Sequence, residues 1–115
     1  MVMRLLPSLR ERRRYLAFEM LSENAITRRD FNRELERGAL SLLGDSGASE
    51  CRMSLLLFNG AQGKGRGWGI IRCVHTHTLE TRAAIATICE VGGSRVAVRV
   101  IGTSGTVKGA KRFFD

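Results

Sequence analysis

Met53-Ser-Leu-Leu-Leu-Phe-Asn-Gly-Ala-Gln-Gly-Lys-Gly-Arg-Gly-Trp-Gly-Ile-Ile-Arg-Cys-Val74 holds two apolar runs of strand length, Met53–Phe58 and Gly67–Val74. Asn59-Gly60 opens a glycine-rich connection between them, the signature of a β-hairpin with a loose tip. Upstream, Thr27 is placed as an N-cap, with Asp30 three residues on as an acidic variant of the capping box and Ile26 and Phe31 as a hydrophobic staple. Phe31, Leu35, Ala39, Leu42 and Leu43 then keep the helical period until Gly44, and Asp45–Glu50 follows as a polar loop. Downstream, Thr78–Val91 is predicted helical, with Leu79, Ala83, Ile85, Ala86 and Ile88 on its apolar side and Gly92-Gly93 as its stop.

Tyr15–Leu21 (YLAFEML) before the first helix and Val96–Ile101 after the second complete the set as strands. The order β-α-β-β-α-β is the ferredoxin-like (RNA-recognition-motif-like) α+β arrangement. It predicts a four-stranded antiparallel sheet with both helices on one face, reached by right-handed crossovers. Residues 15–104 form the domain, 1–14 a basic N-terminal extension and 105–115 a basic C-terminal tail, with one helical turn at Lys108–Phe114.

The chain is 115 residues long and 43% hydrophobic, enough for one core, and that core must be aliphatic because aromatics supply only 6%. No apolar run approaches the roughly 20 residues of a membrane span, and Met1–Arg14 lacks the apolar core of a signal peptide. Three cysteines, an odd number, argue against a disulfide framework. A soluble, cytoplasmic, basic domain is expected.

The formal charge is +8, and its distribution is more telling than its size. Residues 1–14 contribute +4, residues 60–69 +2 and residues 105–115 +2, so the rest of the chain is balanced. Sixteen of the 19 cations are Arg, whose planar fork suits phosphate; because Arg-rich composition also arises in GC-rich genomes and heat-adapted proteins, position is the better guide. In the predicted topology the two basic termini meet at one end of the sheet and the basic hairpin lies at the other. That is the electrostatic footprint of a protein that binds a long polyanion. Parity adds a further expectation: Glu19 stands between Arg72 and Arg99 on the face without helices, which would suit that face to protein contact.

Other chemistries fit poorly. Lys64 is followed by Gly65 rather than Ser or Thr, and position 58 is Phe, so there is no P-loop. No glycine fingerprint stands between a strand and a helix. Arg66-Gly-Trp-Gly-Ile-Ile-Arg-Cys73 is a degenerate match to an RNA-recognition-motif consensus on the correct strand, with Trp68 as the single aromatic platform. Cys73, His75 and His77 alternate, but Cys51 and Cys89 are not spaced as a second ligand pair, so no metal site is assigned. Glu19 with Glu23, or Ser104 with His75, lacks the spacing of a nucleophile and its base, and no catalytic residue is assigned.

Leu6-Pro-Ser-Leu-Arg-Glu-Arg-Arg-Arg-Tyr15, Leu16-Ala-Phe-Glu-Met20, Ser22-Glu-Asn24, Leu43-Gly44, Gly47-Ala-Ser49, Gly69-Ile-Ile-Arg-Cys73 and Val98-Arg-Val-Ile-Gly-Thr-Ser-Gly-Thr-Val-Lys108 together resemble the archaeal ribonuclease P protein component 2 family over essentially the whole chain. The Arg-Arg-Tyr entry to the first strand and the Gly-Thr-Ser-Gly-Thr exit from the last are the specific parts; the glycine-rich hairpin departs from the family pattern. The resemblance implies a ferredoxin-like fold and a non-catalytic subunit of the ribonucleoprotein that removes the 5′ leader of precursor tRNA. It further implies that the partner RNA carries the Mg2+-dependent cleavage, that this chain binds no cofactor, and that component 3 and other subunits are its protein partners. RNA contacts are expected at Arg10, Arg12, Arg13, Arg14, Lys108, Lys111 and Arg112, then at Lys64 and Arg66. The competing reading is a free-standing single-stranded RNA-binding domain of RNA-recognition-motif type.

Overall fold

The computed structural model describes residues 12–60 and 64–115. The elements are β1 (Arg13–Ser22), α1 (Arg28–Cys51), β2 (Ser54–Asn59), β3 (Gly65–Val74), α2 (Thr78–Ala86), β4 (Glu90–Val91), β5 (Ser94–Ser104) and α3 (Val107–Lys111). The strands make one antiparallel sheet in the order β2-β3-β1-β5-β4. Without the two-residue β4 this is the expected ferredoxin-like order; β4 makes the sheet five-stranded rather than four-stranded.

Alternation along β1 sends Leu16, Phe18 and Met20 to the face covered by α1 and α2, where they join Phe31, Leu35, Ile71 and Ile85 in the core. Phe18 stacks on Phe31 with ring centroids 4.9 Å apart, and Phe31 meets Phe58 at 5.1 Å. This packing explains one of the alternating glycines in β3: a Cβ on Gly69 would run into the Phe18 ring. The glycine serves close packing of an aromatic, not a phosphate.

The start of α1 is as read from the sequence, with the Thr27 hydroxyl accepting the Asp30 N–H at 3.1 Å. Its end is not. Gly44 leaves helical geometry (φ 76°, ψ 176°), yet helix resumes and continues to Cys51, so Asp45–Glu50 is helical rather than a polar loop. The second piece is held by Cys51, which is fully buried, and closed by Arg52 in the left-handed region with its N–H on the Ser49 carbonyl.

A second correction concerns α2, which stops at Ala86 instead of Val91. Thr87 closes its last turn by donating its hydroxyl to the Ala84 carbonyl at 2.7 Å. Gly92 and Gly93, both at positive φ (56° and 81°), are the two-residue turn of the β4–β5 hairpin, and Val91 is buried in the core.

A third correction concerns the layers. Two helices cover one face, but α3 and the 3-10 turn Arg112–Phe114 fold back over the other. Ala110 is fully buried, Phe113 lies against Gly102 where a side chain would collide with its ring, and Phe114 packs on Trp68 at 4.6 Å. Residues 107–114 are thus part of the packed domain.

Candidate nucleic-acid interface

The register fixes which cations share an end of the sheet. Arg13 pairs with Val74, Arg14 with Cys73, and Tyr15 with both Arg72 and Ser104. The start of β1 and the end of β5 therefore lie side by side, and only two residues separate that end from α3. The Thr106 side chain caps α3 by accepting the Gly109 N–H at 3.0 Å, which sets the helix across the sheet with Lys108, Lys111 and Arg112 exposed. The Arg14 guanidinium sits beside Gly105 and donates to the Arg13 carbonyl at 2.9 Å. Arg12 is exposed, and its carbonyl accepts the His75 N–H at 2.9 Å, which ties the entry to β1 to the 3-10 turn at His75–His77.

No acid among the described residues pairs with Arg12, Arg13, Arg14, Lys108, Lys111 or Arg112. Closely spaced cations without counter-charges repel one another, and a polyanion relieves that repulsion. Arg10 lies outside the described residues.

Lys64 and Arg66, both exposed, are at the opposite end, since Ser22 pairs with Gly65 and Leu21 with Arg66. A ten-residue strand separates the two ends by roughly 30 Å.

The expected ladder on the second face is half formed. Glu19 and Arg99 pair across strands, with Arg99 Nη2 and Glu19 Oε2 at 3.2 Å. Arg72 does not join them. Parity put it on the correct face, but the register sets it opposite Tyr15, four residues from Glu19, and sets Trp68 opposite Glu19 instead. Arg72 therefore belongs to the end where Arg14 and α3 meet. Its Nε is buried and has no hydrogen-bond partner among the described residues.

The histidine-cysteine alternation is broken by structure. Cys73 points into the core, whereas His75 and His77 lie in a 3-10 turn, with His77 Nε2 at 3.5 Å from Glu50 and 3.7 Å from Glu80. Burial pushes the Cys51 and Cys73 thiols up from their ordinary value, against the lowering effect of a hydrogen bond with Thr81. Such thiols are inert rather than nucleophilic. Among the described residues no cluster of three His, Cys, Asp or Glu has metal-binding geometry.

The aromatic platform is covered as well. Phe114 occupies the ring of Trp68, and Ile70, next along the same face, is fully buried. Sequence reasoning missed this cover because it read Lys108–Phe114 as a charged tail; the signal available was Phe113-Phe114, two aromatics in a chain that has few.

The Rpp14/Pop5 family model matches residues 14–115. The chain belongs to the Rpp14/Pop5 family. It is similar to proteins named ribonuclease P protein component 2. The relative in Methanosarcina acetivorans is 49% identical over 96% of this chain and 80% of its own length. That in Methanosarcina barkeri is 48% identical over 96% and 78%. The Pyrococcus furiosus relative is 30% identical over 94% and 87%. Among solved structures, a chain of yeast ribonuclease MRP superposes with a TM-score of 0.61 over 84% of this chain and 76% of that one, at 17% identity, which is a likeness of fold. The matched family segment runs through α3 to the last residue, so Lys108 and Lys111 of α3 and Arg112 just after it lie within it.

Proposed function

We infer that the chain is a protein subunit of ribonuclease P, and that its part in the assembly is to bind and brace the RNA. The subunit assignment follows from the family and from the relatives named component 2. For the mode of action, the single supporting observation is the convergence of Arg12, Arg13 and Arg14 with α3, where no described acid neutralises them. Folding an RNA around a catalytic centre forces phosphates together. Cations on a rigid domain offset that repulsion and lower the divalent ion concentration the RNA requires. In this reading the RNA and its Mg2+ carry out 5′ leader removal from precursor tRNA, and the protein contributes position and charge. A second protein subunit, component 3, is the expected companion.

The free-standing reader of single strands is less well supported, because Trp68, the stacking ring on which that reading relies, is already engaged by Phe114. The test is reconstitution. The chain is mixed with ribonuclease P RNA and component 3 at limiting Mg2+, and leader removal is assayed. Stimulation that fades as Mg2+ is raised is the expected result. Absence of stimulation at every salt concentration would contradict the reading.

A further inference from the structure

The two long edges of the sheet are finished differently. At the β2 edge the Arg28 guanidinium donates to the carbonyls of Leu55 and, at 3.4 Å, Leu56. A side chain thus occupies backbone groups that a further strand would need. At the β5 edge, β4 covers only Ser94 and Arg95, and the Val96 N–H is taken by the Cys89 carbonyl at 3.0 Å. That bond shows that the Val96 backbone faces away from β1. Pairing with β1 is regular from Val96 to Val100, so alternation turns the N–H and C=O of Val98 and Val100 outward too. Among the described residues nothing bonds to them. The register shift after Val100 ends the run.

We propose that the edge of β5 from Ala97 to Val100 receives an added strand from a protein partner through the outward groups of Val98 and Val100, and that this strand alternates acidic and β-branched apolar residues. The pattern is set by what the edge presents on each face. On the helix side Val98 and Val100 are half-buried, leaving apolar surface for an apolar neighbour to cover. On the other side stand Ala97 and, flanking it, Arg95 and Arg99, all exposed. Only Arg99 has an acidic partner among the described residues, Glu19, reached through one nitrogen. A carboxylate opposite Arg99 extends the cross-strand pair into Glu19–Arg99–acid; the place opposite Arg95 is already held by Glu90 of β4.

Charge argues against a second copy as the occupant. Two chains of +8 each repel, and antiparallel β5–β5 pairing would bring Arg99 of each copy onto the same face of the joint. This surface is separate from the cationic end assigned to RNA, so its test stands apart from that assignment.

The probe is a fluorescein-labelled heptapeptide alternating valine and glutamate, added to the full chain and read by anisotropy and by amide exchange at Val98 and Val100. Binding that slows exchange at both amides, weakens at least tenfold when the outward peptide nitrogens are methylated, and weakens several-fold in Arg99→Glu is the expected result. Methylation leaves the protein untouched, so a folding defect cannot imitate that loss. Equal binding by methylated and unmethylated peptides would overturn the proposal, as would no binding at millimolar peptide. It would equally fall if the free chain proved to be a dimer with those amides already protected, or if RNA protected them and the peptide did not.

Discussion

On the helix-covered face of the sheet, Leu16, Phe18, Met20 and Ile71 are sealed beneath α1 and α2, with a stacked Phe18–Phe31 pair at the centre. The opposite face is closed only along part of its length, by five residues of α3 and the turn that follows, through Ala110, Phe113 and Phe114. Beyond that cover Leu21 is 53% exposed beside Arg66, Ala97 and the Glu19–Arg99 pair. The difference separates two jobs. One face supplies the burial that makes a 115-residue chain stable; the other holds a small, positively charged element at a fixed place and leaves the remainder accessible.

The largest expected effect is on the sealed face. Phe18→Ala removes a fully buried ring and its stacking on Phe31, and should cost about 3–5 kcal/mol of stability, read by denaturant unfolding. A loss below about 1 kcal/mol would mean that the two faces are closed equally loosely. Next, Gly102→Val drives a side chain into Phe113 and should lift α3 for about 1–3 kcal/mol, read as a change in Trp68 fluorescence as Phe114 leaves its ring. Unchanged emission would show that α3 does not depend on that contact.

The buried thiols give a pH signature of the sealed face. With the folded-state pKa of Cys51 and Cys73 raised by burial, the unfolded chain ionises first. Their contribution is complete below the unfolded thiol value, about 8.5, and is lost as pH rises through the folded values. Stability should therefore fall from about pH 8 upward, less steeply in Cys51→Ala/Cys73→Ala. In the native protein a thiol reagent should reach exposed Cys89 first and the other two only on unfolding. Smallest of all, Trp68→Ala should change RNA affinity by well under the roughly 1–3 kcal/mol that a stacking platform supplies.

Legibility in the sequence followed how local each signal was. The hairpin, the Thr27 cap and the β1 alternation depend on neighbours within a few residues, and all three stand in the structure. Gly44 and Gly92-Gly93 were read as stops; what happens after a glycine depends on distant burial, here of Cys51 and Val91. Arg72 shows the same limit at the site. Period-two alternation gives the face of a strand, but only cross-strand pairing gives the row, and the row decides whether a guanidinium meets Glu19 or the basic end. The docking of Phe113 and Phe114 is longer in range still, since it joins the end of the chain to β3 and β5.

The cations at the end where β1 begins and α3 lies are the proposed seat of RNA binding. The direct measurement is the salt dependence of binding to ribonuclease P RNA for the native chain and for Arg12→Ala/Arg13→Ala/Arg14→Ala, with Lys64→Ala/Arg66→Ala as the comparison at the far end. The triple variant should bind more weakly, and the slope of log K against log salt should flatten by roughly one unit per lost phosphate contact. A slope equal to that of the native chain would contradict the account.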